Sequence, residues 1–93
     1  MDAFMVVATF QEGTDMREVF AVVAEEQARV KVLEDEGRVG HLYLSLARGT
    51  VFIQTFAQSD NEARDTVLSL PMAKWWNLDV FPLGAPVVPG APA

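Results

Sequence analysis

Two segments of this chain are apolar on both of their alternating faces, and a strand of that kind is stable only where both sides of its sheet are covered. Ala3 to Phe10 (AFMVVATF) sets Phe4, Val6 and Phe10 on one side and Met5 and Val7 on the other, and Thr50 to Ala57 (TVFIQTFA) sets Val51 and Ile53 against Phe52 and Phe56. A sheet built from these two strands cannot leave either face to water.

The segments between and around them supply one cover. After the turn Gln11-Glu12-Gly13-Thr14, Asp15 with Glu18 three residues on forms a capping-box pattern, and a helix is predicted from about Met16 to Glu36, stopped by Gly37. Its apolar stripe is Val19, Val22, Val23, Val30 and Leu33, and Glu26 falls inside that stripe. A carboxylate there is out of place. Val39 to Leu46 reads as a second strand in which His41, the only histidine, shares a face with Tyr43 and Ser45, opposite Leu42, Leu44 and Leu46. Ala47-Arg48-Gly49 is a tight turn leading into the third strand. Ser59 and Glu62 form a second capping box, opening a helix from Asp60 to Ser69 that Pro71 ends. Met72 to Trp76 suits a short helical turn, Asn77 to Leu83 a fourth strand with Pro82 at an edge or end, and the Pro/Gly/Ala-rich residues 85–93 an extended arm.

The order is βαββαβ, an α+β ferredoxin-like arrangement in which a four-stranded antiparallel sheet carries two helices on one face. The other face would be a large apolar patch, so a homodimer with two sheets face to face is expected. With 93 residues, a single domain over 1–84 followed by the arm fits the usual size range of roughly 50 to 200 residues. The formal charge of −6, with only seven scattered Lys and Arg, argues against nucleic acid and anionic membranes as partners. Without cysteine and with one histidine, a metal site would need several converging carboxylates, and none is predicted. No basic leader or apolar run approaching 18 residues is visible, so a cytoplasmic location is expected.

The run Glu26-x-x-Arg29-x-x-x-Leu33-x-x-Glu36-Gly37, then His41-Leu42, Ser59-x-x-Glu62, Leu70-Pro71 and Val80-x-Pro82-Leu83 resembles the muconolactone delta-isomerase family in one register without gaps, over roughly residues 15–85. The resemblance implies a dimeric α+β barrel, often built into larger rings, and no cofactor. It also implies a double-bond shift in an unsaturated lactone, in the breakdown of aromatic compounds, by proton removal from one carbon and return to another. Members of the family carry His and Arg on the first strand where this chain has Ala3 and Met5, and tend to have tryptophan where it has Val39 and Tyr43. That departure points to a more apolar pocket and a larger, less charged substrate.

Glu26 and His41 are the candidate catalytic pair. A buried glutamate has its pKa raised toward a useful range for a group that must both take and return a proton, and His41 or Tyr43 can bond a developing enolate oxygen. Arg29 or Arg48 can hold a substrate carboxylate, Ser45 shares the face of His41 and Tyr43, and of the adjacent Trp75 and Trp76, which must point different ways, one can line a pocket. Each has a structural alternative: Glu26 can pair with Arg29 or Lys31 at the edge of the stripe, and Arg48 can sit solvated in its turn. Three functions are compatible with this pattern, namely a cofactor-free isomerase acting on a small molecule, a cofactor-free cyclase or monooxygenase acting on an aromatic or polyketide-like substrate, and a non-catalytic dimeric ligand-binding module.

Overall fold

The apolar strands sit side by side at the centre of a four-stranded sheet in a computed structural model that describes residues 1–84. The strands are β1 (Asp2–Phe10), β2 (Val39–Ser45), β3 (Thr50–Ala57) and β4 (Trp76–Pro82), in the order β2-β3-β1-β4 with every pairing antiparallel. The arm expected over 85–93 lies outside the described residues. Register assigns the faces: Val6 stands between Ile53 and Val80, while Val7 stands between Phe52 and Asp79 and Phe52 is followed by Tyr43. The Val6 side is covered by helices, and Val6, Ala8, Ile53, Thr55 and Ala57 are fully buried there. The Val7 side is open, and carries Met5, Phe52, Phe56 and Phe81.

The helical layer is α1 (Met16–Ala21), α2 (Val23–Asp35) and α3 (Asp60–Leu68). The single helix expected from Met16 to Glu36 is therefore two. At Val22 the backbone turns to φ −108 and ψ 10, outside the helical range, and its N–H bonds back to Val19 and Phe20. Neither glycine nor proline marks the spot. Val22 and Val23 are adjacent β-branched residues, whose stiff side chains crowd the preceding turn and weaken a helix. The capping pattern at Asp15 is also used differently, because its carboxylate accepts from the Arg17 N–H at 2.9 Å and pairs with the Arg17 guanidinium at 3.1 Å. Ser59 caps α3 as expected, accepting from the Glu62 N–H at 3.2 Å.

Packing is uneven across the sheet. Beneath α3 the core is dense, with Phe4, Ile53, Ala63, Val67 and Leu70 in one cluster. Toward β2, at the edge of the sheet, α1 and α2 stand off and leave a cavity. A register shift between Val39 and Leu42 lets both Gly40 and His41 oppose β3, and the His41 N–H donates to the Gln54 side chain at 3.1 Å. A Cβ at Gly40 would push against the Gln54 amide and the Phe56 ring, so a side chain there would have to displace the Gln54 amide from its bond to the His41 N–H.

Gly37 ends α2 at φ 73, where the Arg38 N–H reaches the Leu33 carbonyl at 2.9 Å and the Gly37 N–H the Glu34 carbonyl at 3.0 Å. An L side chain at this left-handed position is strained, so Gly37→Ala is expected to lower unfolding free energy by about 1 to 2 kcal/mol in urea titration. An unchanged midpoint would show that the helix end relaxes without cost.

Candidate functional site

Segments from α1 to the start of β4 converge on the cavity beside β2. Its volume is about 510 Å³, and its wall runs from Met16, Val19 and Phe20 through Val23, Glu26 and Val30 to Leu42, Leu44, Val51, Met72 and Trp76. Val19 belongs to α1 and Glu26 to α2. Leu42 and Val51 come from the covered sheet face, and Met72 from the 3-10 turn Pro71–Trp75 that follows α3. Phe20, Leu44 and Leu46 are exposed apolar side chains at the mouth, beside the exposed polar residues Gln27, Lys31 and Glu34.

Glu26 is the buried charged residue of this lining. It is only 9% exposed, and one carboxylate oxygen accepts from the Met72 N–H at 2.9 Å. No cation pairs with it: among the described residues Lys31 is bonded to Asp35 at 2.6 Å and Arg29 reaches Ser69 Oγ at 3.3 Å. Desolvation raises the Glu26 pKa above its ordinary 4.5, and the Met72 hydrogen bond opposes that rise without cancelling it. The folded chain therefore holds this proton to higher pH than the unfolded chain does. Stability from this group is complete below about pH 4.5 and is lost as pH rises through the folded-state value. Glu26→Gln cannot titrate, so its stability relative to wild type should increase between about pH 4 and pH 8 in paired urea melts. A constant difference across that range would mean that Glu26 ionises like a solvated carboxylate.

The expected site residues do not all gather here. Glu26, Tyr43 and Trp76 belong to the cavity wall, whereas His41, Ser45, Arg29, Arg48 and Trp75 do not. His41 lies beside Tyr43 on the open sheet face, ring centroids 6.2 Å apart, so the helix carrying Glu26 and the histidine are on opposite sides of the sheet. The acid and imidazole expected to meet do not meet within one chain. Alternation correctly put His41 with Tyr43 and Ser45, but says nothing about which face receives the helices. Ala3 and Met5 are also on the open face, so the loss of polar groups on the first strand does not explain the apolar character of this cavity. Of the two tryptophans, Trp76 turns inward and is 5% exposed, while Lys74 lies over the Trp75 ring at 4.5 Å.

Sequence reasoning missed Met72, whose contribution is a backbone N–H and so leaves no side-chain signal, and the mouth residues Phe20 and Leu46. Their large apolar side chains outside the expected stripe were the available sign. The Trp76 Nε1–H is buried and has no acceptor among the described residues. No helix among those residues is long and apolar enough to cross a membrane.

Residues 3–86 match the family described as muconolactone delta-isomerase. Among solved structures, a crystal structure of muconolactone isomerase superposes with a TM-score of 0.69 at 21% identity, covering 96% of this chain and 93% of that one. At that identity the likeness shows a shared fold. No curated protein matches the sequence.

Proposed function

The chain belongs to the muconolactone delta-isomerase family, and we propose that it is itself a cofactor-free isomerase, moving a double bond in an unsaturated lactone or a related small molecule derived from aromatic compounds. The observation that carries this reading is the unpaired, buried Glu26 carboxyl in the wall of an apolar cavity. As carboxylate, Glu26 removes a proton from a carbon next to the conjugated system, and the negative charge spreads to the carbonyl oxygen. As carboxylic acid it returns that proton to a different carbon. The reaction neither gains nor loses electrons or atoms, so one group with a raised pKa is sufficient to carry it.

Burial supports both halves of that cycle. It makes the ionised form a stronger base than a solvated glutamate, and it keeps water from quenching the intermediate. The Met72 N–H fixes the carboxyl position through one oxygen and leaves the other for the substrate. Within one chain, substrate contact falls to Trp76 together with the hydrocarbon wall, and Tyr43, whose side chain belongs to the open sheet face, reaches the cavity only at its rim. We further propose that the open face, with Met5, Val7, Phe52, Phe56 and Phe81, pairs with a second copy of the chain to form a homodimer. His41 and Ser45 then belong to the neighbourhood of that interface, and Arg29, Arg48 and Trp75 remain at the surface outside the cavity.

The direct test follows an unsaturated γ-lactone by proton NMR in deuterium oxide. The expected result is a shift of the double bond that depends on Glu26. Ligand binding with no movement of the double bond, in wild type and Glu26→Gln alike, would instead make this a ligand-binding module.

A further inference from the structure

Charge is distributed unevenly over the cavity wall. Its charged members are Glu26, Lys31 and Glu34, and of these Glu26 alone is buried. Lys31 is the one cation among the described lining residues, and its ammonium is already held by Asp35 at 2.6 Å. No arginine lines the cavity among those residues: Arg17 pairs with Asp15, Arg29 reaches Ser69, and Arg38 donates to the Thr66 hydroxyl. The interior is apolar, from Phe10 and Val19 to Leu42, Val51 and Met72.

An anionic ligand meets a penalty wherever it puts its charge. In the interior a carboxylate would lose its water with no cation to replace it, in a space that also holds the Glu26 carboxyl. The like charge would keep Glu26 in its protonated form, which cannot take a proton from carbon. At the rim the ligand would compete with Asp35 for Lys31, beside Glu34 and in a chain of net charge −6. An uncharged ligand meets none of these penalties, and each methylene it sets against the wall stabilises the complex.

We propose that the cavity admits uncharged, largely hydrocarbon ligands and rejects carboxylates, so that the substrate is a neutral unsaturated lactone or enone carrying an alkyl or aryl substituent. The reacting ring lies at Glu26, and the substituent runs toward Phe20, Leu44 and Leu46, whose exposed side chains carry the apolar wall out to the mouth. The cavity volume of about 510 Å³ has room for it, since pockets for drug-sized ligands begin near about 300 Å³. This deepens the isomerase reading and rests on it for the reacting ring, whereas the exclusion of anions follows from the wall itself.

Calorimetric titration at neutral pH with three unsaturated γ-lactones tests the exclusion. They differ in one side group, isobutyl, carboxymethyl or carbamoylmethyl, and these groups share a shape while only carboxymethyl is charged. The isobutyl lactone is expected to bind at least about tenfold more tightly than the carboxymethyl lactone, with the carbamoylmethyl lactone between them. In a second series the ring carries straight alkyl chains of increasing length. Affinity should rise by about fourfold per added methylene until the chain passes the mouth.

The proposal is overturned if the carboxymethyl lactone binds as tightly as the isobutyl lactone, which would mean that a cation reaches the cavity from outside its described wall. It is overturned equally if the carbamoylmethyl lactone binds no better than the carboxymethyl one, if affinity ignores chain length, or if no lactone binds. Wild-type protein supplies all of these readings, so none depends on how a variant folds. Tight binding of the neutral lactones without any double-bond movement would sink the isomerase reading and leave the exclusion of anions standing. Turnover that requires Glu26 and treats the carboxymethyl and isobutyl lactones alike would do the reverse.

Discussion

Glu26→Gln is expected to reduce the rate of double-bond movement by roughly two to four orders of magnitude while ligand affinity changes little. The substitution isolates the proton. Glutamine has the size of glutamate and its carbonyl oxygen can still accept from the Met72 N–H, so the anchoring bond and the shape of the wall are kept. What disappears is, among the described residues, the one carboxylate in the buried part of the cavity. Steady-state kinetics should show the loss in kcat, with KM nearly constant, because a ligand without formal charge gains little from the carboxylate before the reaction begins. In wild type, kcat/KM should fall as pH is lowered through a pKa above 4.5, since burial raises the value and protonation removes the base. If the variant keeps more than about a tenth of the wild-type rate, the base is another residue.

Phe52→Asp is expected to convert a dimer to a monomer, weakening self-association by about a thousandfold or more. Phe52 lies in the middle of the open face, with Val7 on one side and Tyr43 on the other. Its side chain points away from the helices, so the buried cluster around Ile53 and Leu33 is untouched and the secondary structure should persist by circular dichroism. A carboxylate at that position would have to be dehydrated without a cation if two such faces met. Sedimentation velocity or light scattering reads the outcome directly. A wild-type chain that sediments at its formula mass of 10.2 kDa at high concentration would remove the dimer from the proposed function.

Much of this architecture could be read from the residues themselves. The two-faced apolar strands, the stop at Gly37 and the cap at Ser59 are local signals, each set by the chemistry of a few neighbours, and the βαββαβ order follows from their sequence. The break at Val22 was hidden because no glycine or proline announces it, and β-branching weakens a helix without saying where it yields. Glu26 was recognisable as an anomaly, a charge inside an apolar stripe. Its neighbours were not, because the partner of its carboxyl is a backbone group 46 residues away. The separation of Glu26 from His41 was equally out of reach. Alternation groups side chains by face, but only the packing of helices against the finished sheet decides which face becomes the interior.

The uneven packing beneath the helices has an evolutionary consequence. The tightly filled cluster under α3 and the cavity beside β2 use mostly different residues, and Leu46 at the cavity mouth is 79% exposed. Substitutions at Phe20, Leu44 or Leu46 therefore alter what can enter while removing few contacts that hold the fold together. Such a layout makes specificity evolvable at small cost in stability, so that related chains can diverge in the molecules they admit and keep the same scaffold.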